Sequence, residues 1–115
     1  MSYDIGLYDK QFLKRALDES LGDWTCADPF PNDKLRVVRE RLKAMGYRTL
    51  NGIEFEHSNA TWGLQVSIFA GEISFCVPYW DDAKAAVGVA RADALELAKD
   101  ADLGFYDPQS GEAIT

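Results

Sequence analysis

The sequence predicts an α+β fold in which helices cover one face of a mainly antiparallel sheet. Three segments between residues 53 and 77 alternate apolar and polar side chains, as half-buried strands do. Three other segments repeat apolar residues at steps of three and four, which is the period of amphipathic helices. With 115 residues, 47% of them hydrophobic, the chain has the size and composition of a single domain, residues 1–115.

The first third of the chain predicts one strand and two helices. Residues 3–8 alternate and predict a strand, and Asp9 is placed to cap an amphipathic helix over 10–21. Two prolines within 23–31 oppose both helix and central strand, so this segment is predicted to be a loop. The helical period resumes over 32–46 and predicts the second helix.

The middle of the chain predicts a strand meander. Residues 47–50 can form a short additional strand, and Asn51-Gly52 is typical of a type I′ turn. The apolar side chains of the alternating segments then share one face of the sheet. Three antiparallel strands are predicted, over 53–57, 62–70 and 73–77.

A long helix and a last strand follow. Asp81 or Asp82 can cap the helix, which extends to about Ala101 and has a buried stripe of small residues. Within it, Gly88 is expected to allow a close approach to the sheet. Residues 103–106 are short, apolar and compatible with a strand, so the predicted order is β-α-α-β-β-β-α-β.

This order predicts how the last strand is placed. A right-handed crossover through the long helix puts the final strand beside the first one. The arrangement is related to that of a ferredoxin-like, split βαβ domain with an extra strand and helix.

Charge is unevenly distributed along the chain. Residues 1–50 carry nine Lys and Arg against eight Asp and Glu, whereas residues 51–115 carry three against eleven, within a total net charge of −7. An acidic body repels nucleic acid and anionic membrane surfaces, and it accelerates encounters with basic partners. We therefore expect a basic protein partner, and neither nucleic acid nor a membrane.

The sequence also indicates the cellular compartment and whether a metal or cofactor is expected. No apolar run has the roughly 20 residues that a membrane span needs, and the N-terminus does not read as a signal peptide, so a cytoplasmic protein is expected. Cys26 and Cys76 lie far apart and only one histidine accompanies them, whereas a thiolate metal site needs three or four ligands at set spacing. We expect reduced thiols, no metal and no cofactor.

One group of side chains could support acid–base chemistry. Glu54, Glu56 and His57 are close in sequence, and Asp82 could join them in a small-ligand-binding or catalytic site. The alternative is that the two glutamates lie on the solvent face of an edge strand, where charges discourage edge-to-edge pairing. Since no nucleophile elbow, phosphate-binding loop or H-E-x-x-H motif is present, a non-enzymatic protein is expected.

An aromatic and acidic run gives the strongest candidate binding surface. Tyr79, Trp80 and Asp82 follow the meander directly, and Trp62 precedes its second strand. Large amphipathic rings beside carboxylates are the residue types that anchor protein interfaces. The alternative is that the rings close an edge of the core while Asp81 caps the helix. With Glu54 and Glu56, these residues form the predicted partner-binding set.

The residues at both ends of the chain resemble a known group of proteins. A start in Ser2-Tyr-Asp-Ile5 and an end in Leu103-Gly-Phe-Tyr-Asp-Pro-Gln-Ser-Gly-Glu112 are similar to those of a largely uncharacterised family of small bacterial cytoplasmic proteins. Some of its members resemble immunity proteins of toxin systems. The resemblance implies an immunity or inhibitor protein that blocks a basic toxin domain, and a homodimer joined through sheet edges remains an alternative. The terminal Asp-Pro-Gln-Ser-Gly is itself typical of a turn.

Overall fold

A computed structural model describes residues 2–19, 28–49, 51–57, 64–78 and 83–115. Within these ranges the chain forms helices and an antiparallel sheet, so the fold is α+β as predicted. The elements are β1 (Ser2–Tyr8), α1 (Lys10–Asp18), α2 (Asn32–Ala44), β2 (Tyr47–Thr49), β3 (Glu54–His57), β4 (Gln65–Ile68), β5 (Ile73–Pro78), α3 (Ala83–Ala101), β6 (Gly104–Asp107) and β7 (Glu112–Ile114).

The strands form one seven-stranded sheet in the order β2-β3-β4-β5-β1-β6-β7, and every neighbouring pair is antiparallel. The first strand lies inside the sheet, between β5 and β6. The crossover through α3 therefore places β6 directly beside β1, as the sequence predicts, with Gly6 opposite Tyr106.

The predicted order of elements is incomplete by two strands. The short segment considered over 47–50 is strand β2, which pairs with β3. Strand β7 is absent from the prediction because Glu112-Ala-Ile114 contains little β-branched or aromatic character. It forms because the turn after Asp107 returns the chain along β6.

The helices lie on both faces of the sheet, so the prediction of helices on one face is wrong. Residues next to each other in a strand point to opposite faces. Leu7 lies in the main core with the buried residues of α2 and α3, whereas Tyr8 packs in a separate cluster with Phe12 and Leu13 of α1. An amphipathic pattern shows that one side of α1 is buried, but it does not show which sheet face buries it.

The long helix α3 packs on the main core through small side chains, as predicted. Ala86, Ala90 and Ala94 are fully buried, and a small side chain lets a helix axis lie near the sheet. Gly88 does not take part in this contact, because it is exposed and a Cβ atom built on it meets nothing within 4 Å. Its predicted role in close approach is therefore wrong.

Replacing Gly88 with alanine should stabilise the fold by about 1 kcal/mol, since glycine costs roughly that much in a helix interior relative to alanine. Chemical denaturation should show a higher midpoint with an unchanged slope. Ala92, exposed on the same helix, offers the reverse control: Ala92→Gly should lower stability by a similar amount. A lower midpoint for Gly88→Ala would contradict an exposed, unconstrained site.

The predicted cap at Asp9 is confirmed and the predicted turn at Asn51-Gly52 needs a correction, whereas the caps predicted at Asp81 or Asp82 lie outside the described residues. The Asp9 carboxylate accepts a hydrogen bond from Phe12 N at 3.1 Å and caps α1, and Gly46 has the positive φ of 97° expected after α2. Gly52 also has a positive φ, of 76°. Asn51 does not, so the turn is not of type I′, in which both central residues have positive φ.

Candidate functional site

One side of strands β2, β3 and β4, opposite α2 and α3, carries polar and charged side chains. Phe55 and Val66 point into the core, so their neighbours in the same strands point away from it. We call this side the open face, defined by Arg48, Glu54, Glu56, Gln65 and Ser67. The two glutamates and Arg48 are exposed, so the prediction that Glu54 and Glu56 lie on a solvent face is confirmed. The prediction that their strand is an edge strand is wrong, because β3 lies between β2 and β4.

Strand register sets the neighbours of the two glutamates. Glu54 lies opposite Ser67, Glu56 lies opposite Gln65 in β4, and Arg48 of β2 lies opposite Glu56 on the other side. The two glutamates are two residues apart in one strand, so their Cα atoms are roughly 6.8 Å apart at the usual rise of an antiparallel strand. A hydroxyl, an amide and a guanidinium thus flank a pair of carboxylates.

A groove of about 930 Å³ runs over this face and along the outer edge of β2. We call it the edge groove. Besides the residues of the open face, it is lined by Lys43 at the end of α2, by Tyr47 and Thr49 of β2, and by Asn51 and Phe55. Cations stand on its β2 side and carboxylates on its β3 side.

The two glutamates differ from the other carboxylates of the acidic half. Within the part of the chain that the structure describes, neither Glu54 nor Glu56 forms an ion pair. The other described carboxylates of residues 51–115 each have a partner. These are Glu72, Asp93, Glu96, Asp100, Asp102, Asp107 and Glu112. The described carboxylates of the acidic half that have neither an ion pair nor a hydrogen-bond donor therefore lie on the open face.

The basic face of α2 is largely used inside the chain. Arg41 pairs with Glu96 at 3.2 Å and with Asp100 at 2.8 Å, and so joins α2 to α3. Arg39 Nε donates to the carbonyl of Gly52 at 3.0 Å. The Lys34 ammonium likewise donates to a backbone carbonyl, that of Asp102. These contacts give the basic residues of α2 a structural role.

His57 does not join Glu54 and Glu56. It is offset by one residue from Glu56 and therefore points to the opposite face of β3. There its ring packs edge-on against Tyr47, with ring centres 5.0 Å apart. The acid–base group suggested by the sequence is thus divided between two faces, and Asp82, its other member, lies outside the described residues.

Tyr47 and Asp93 link the edge strand to α3. The Tyr47 hydroxyl donates to Asp93 Oδ2 at 2.8 Å. Burial, more than this hydrogen bond, raises the pKa of Tyr47, and burial also raises the pKa of the Asp93 carboxyl. The phenol stays protonated and remains a donor at every physiological pH, so this bond holds β2 against the helix.

The aromatic part of the predicted surface lies outside the described residues. This applies to Trp62, Tyr79, Trp80 and Asp82, and equally to Asp81 and Cys26. The described strands fix where the chain leaves the sheet on either side of them. The end of β3, the start of β4 and the end of β5 are at the same end of the sheet.

Sequence reasoning missed the neighbours of the two glutamates. Gln65 and Ser67 were recognisable as the polar side of β4 from their alternation with Leu64, Val66 and Ile68. Their pairing with Glu56 and Glu54 depends on register between strands. Arg48 and Lys43 were assigned to separate segments, and only the fold brings them to one groove.

Comparison of the chain with protein-family models gives no match, and comparison with curated proteins gives no relative. Among the described residues, no group of three or more His, Cys, Asp and Glu side chains could hold a metal ion. In the same ranges, no helix combines the length and the apolar character that crossing a membrane requires.

Proposed function

We propose that the chain is a non-enzymatic immunity or inhibitor protein that binds and blocks a basic bacterial toxin domain in the cytoplasm. The observation that carries the proposal is that Glu54 and Glu56 are exposed and, within the described ranges, unpaired. They are the described carboxylates of the acidic half that have no intramolecular partner, and both are exposed on a grooved face. Unpaired surface carboxylates steer a basic partner and define where it docks.

The proposed mechanism has two stages. Long-range attraction to the acidic half raises the association rate, and aromatic anchors then hold the partner so that its own functional surface is covered. We assign the anchoring role to Trp62, Tyr79, Trp80 and Asp82. In support of this, the end of β3, the start of β4 and the end of β5, which flank these residues in the sequence, lie at the same end of the sheet.

The proposal is tested first by capture and protection. The chain should capture a basic effector domain from its native host and should restore growth to cells that express that domain. Adjacent genes would provide the first candidate. If no basic toxin-like partner is captured and no toxin gene lies beside this one, the proposal is contradicted.

Charge reversal locates the surface. The double substitution Glu54→Lys and Glu56→Lys should weaken binding of the captured domain about tenfold or more, mainly through a slower association rate and a weaker dependence on salt. Asp18→Lys with Glu19→Lys is the matched control, because both residues are exposed, at the last position of α1 and at its C-cap, and the change in net charge is identical. Surface plasmon resonance at two salt concentrations measures both effects. Equal losses from the two pairs would contradict a role for the open face.

We also propose that the fold is related to the ferredoxin-like, split βαβ arrangement. The support is the order β4-β5-β1-β6, in which β5 and β6 lie on either side of β1 and are joined by α3. In this relation β2, β3 and β7 are additions at the two edges. The proposed binding surface would then lie mainly on the added strands.

A further inference from the structure

Along β2, the backbone N–H and C=O groups point alternately toward β3 and away from the sheet. The pairing of β3 with β4 determines which residues point in which direction. His57 N donates to the carbonyl of Leu64 at 3.0 Å, and Ile68 N donates to the carbonyl of Ile53 at 2.8 Å. In an antiparallel pair, successive residues direct their N–H and C=O groups to opposite sides. The backbone groups of Ile53, Phe55 and His57 therefore face β4. Those of Glu54 and Glu56 face β2.

The alternation in β3 determines where the N–H and C=O groups of β2 point. Arg48 lies directly opposite Glu56, so the N–H and C=O of Arg48 face β3. Tyr47 and Thr49 must direct their N–H and C=O away from the sheet. Strand β2 is the last in the sheet order, and no described residue pairs with these four groups. They are spaced as the groups that an added antiparallel strand would bind. Since Tyr47 is 3% exposed, such a strand must displace the atoms that cover its backbone.

The edge groove lies along these groups. Tyr47, Arg48 and Thr49 all line it, and Lys43 stands at its rim. Arg48 and Lys43 are exposed and form no ion pair within the described ranges, unlike Arg41 on the same helix as Lys43. A strand added to β2 would place one side chain directly opposite Arg48 and on the open face.

The charges argue against a second copy of the chain as the occupant. Antiparallel pairing of two β2 strands that uses both Tyr47 and Thr49 is centred on Arg48. It puts the two Arg48 side chains opposite each other, and like charges directly across a strand pair are destabilising. The same position favours a carboxylate from a different chain.

We infer that β2 is a docking strand for an extended segment of the partner, which adds to the sheet in the edge groove and sets an acidic side chain opposite Arg48. The inference rests on the proposed function for the identity of that partner. A partner that is basic overall is steered by Glu54 and Glu56, while the one carboxylate on its docking segment fixes the register through Arg48. Backbone bonds to Tyr47 and Thr49 hold the segment in place.

The test uses the full chain and two blocked peptides, Thr-Val-Glu-Val-Thr and Thr-Val-Lys-Val-Thr, so it needs no toxin domain. The glutamate peptide should bind about fivefold more tightly than the lysine peptide, the size expected for one opposite-charge cross-strand pair. Arg48→Glu should reverse this preference. Lys14→Glu, an exposed position on α1, should leave it unchanged. Equal affinities, or a preference that survives Arg48→Glu, would overturn the inference.

Amide exchange gives a second readout with its own internal control. With peptide bound, exchange should slow at Tyr47 and Thr49 but not at Arg48, whose N–H already faces β3. Protection confined to β7, at the other edge of the sheet, would contradict the assignment. If a captured toxin domain binds without protecting Tyr47 and Thr49, this inference fails while the proposed function stands. If the glutamate peptide docks on β2 but no basic domain is ever captured, the proposed function fails alone.

Discussion

Replacing Phe75 with alanine should lower the free energy of unfolding by about 3–5 kcal/mol. Phe75 is fully buried in β5, between Ile5 of β1 and Val66 of β4, and its ring meets that of Tyr47 edge-on at 6.3 Å. Removing the ring loses its burial and leaves a cavity that neighbours on two strands cannot close. Since small domains have only about 5–15 kcal/mol of stability, the variant should be partly unfolded under mild denaturant.

Phe69→Ala is the matched control for this experiment. Phe69 follows β4 and its side chain is 54% exposed, so the same chemical change should alter stability by no more than about 0.5 kcal/mol. Urea denaturation followed by circular dichroism compares the two variants. Similar losses from Phe69→Ala and Phe75→Ala would contradict the described core.

Asp107→Ala is expected to have the next largest effect, a loss of about 3 kcal/mol. Asp107 is a completely buried charged residue at the end of β6. Its carboxylate accepts hydrogen bonds from the Tyr3 hydroxyl, from Gln109 N at 3.0 Å and from Ser110 N at 3.3 Å. The substitution removes three bonds to a charged acceptor and leaves the Tyr3 hydroxyl without this partner.

Two further variants separate the buried contact from the turn. Tyr3→Phe should cost about 1–2 kcal/mol, and its effect should largely disappear in the Asp107→Ala background, because the two residues share one bond. Asp18→Ala removes an exposed carboxylate and should be nearly neutral. Full additivity of Tyr3→Phe and Asp107→Ala would show that the contact does not stabilise the fold. Denaturant titrations of the single and double variants measure the coupling.

Local chemistry in the sequence was sufficient for much of the turn at Asp107. An Asp-Pro pair followed by a glycine predicts side-chain bonds to the next backbone amides, and Gly111 has the positive φ of 76° that such an exit needs. The hydrogen bond between Tyr3 and Asp107 could not be predicted from the sequence, because the two residues are 104 positions apart. Nothing in a local pattern connects them.

The same limit applies to the candidate site. Alternation alone predicts that Glu54 and Glu56 face away from the core, and it also predicts that His57 faces the other way, which the acid–base hypothesis overlooked. Which residues stand beside the glutamates depends on the pairing of β3 with β2 and β4. The face occupied by α1 is a similar case, since its periodicity is satisfied equally well on either side of the sheet.

The position of β1 between β5 and β6 has a consequence for how the chain folds. Both partners of β1 follow it by most of the length of the chain, with Ile5 opposite Phe75 and Leu7 opposite Phe105. Folding must therefore close long loops before β1 can form hydrogen bonds with either neighbouring strand. Topologies dominated by such distant pairings fold slowly. During synthesis one edge of β1 stays without its partner until β5 (Ile73–Pro78) has emerged, and the other edge until β6 (Gly104–Asp107) has emerged, so β1 is exposed to aggregation for most of that time.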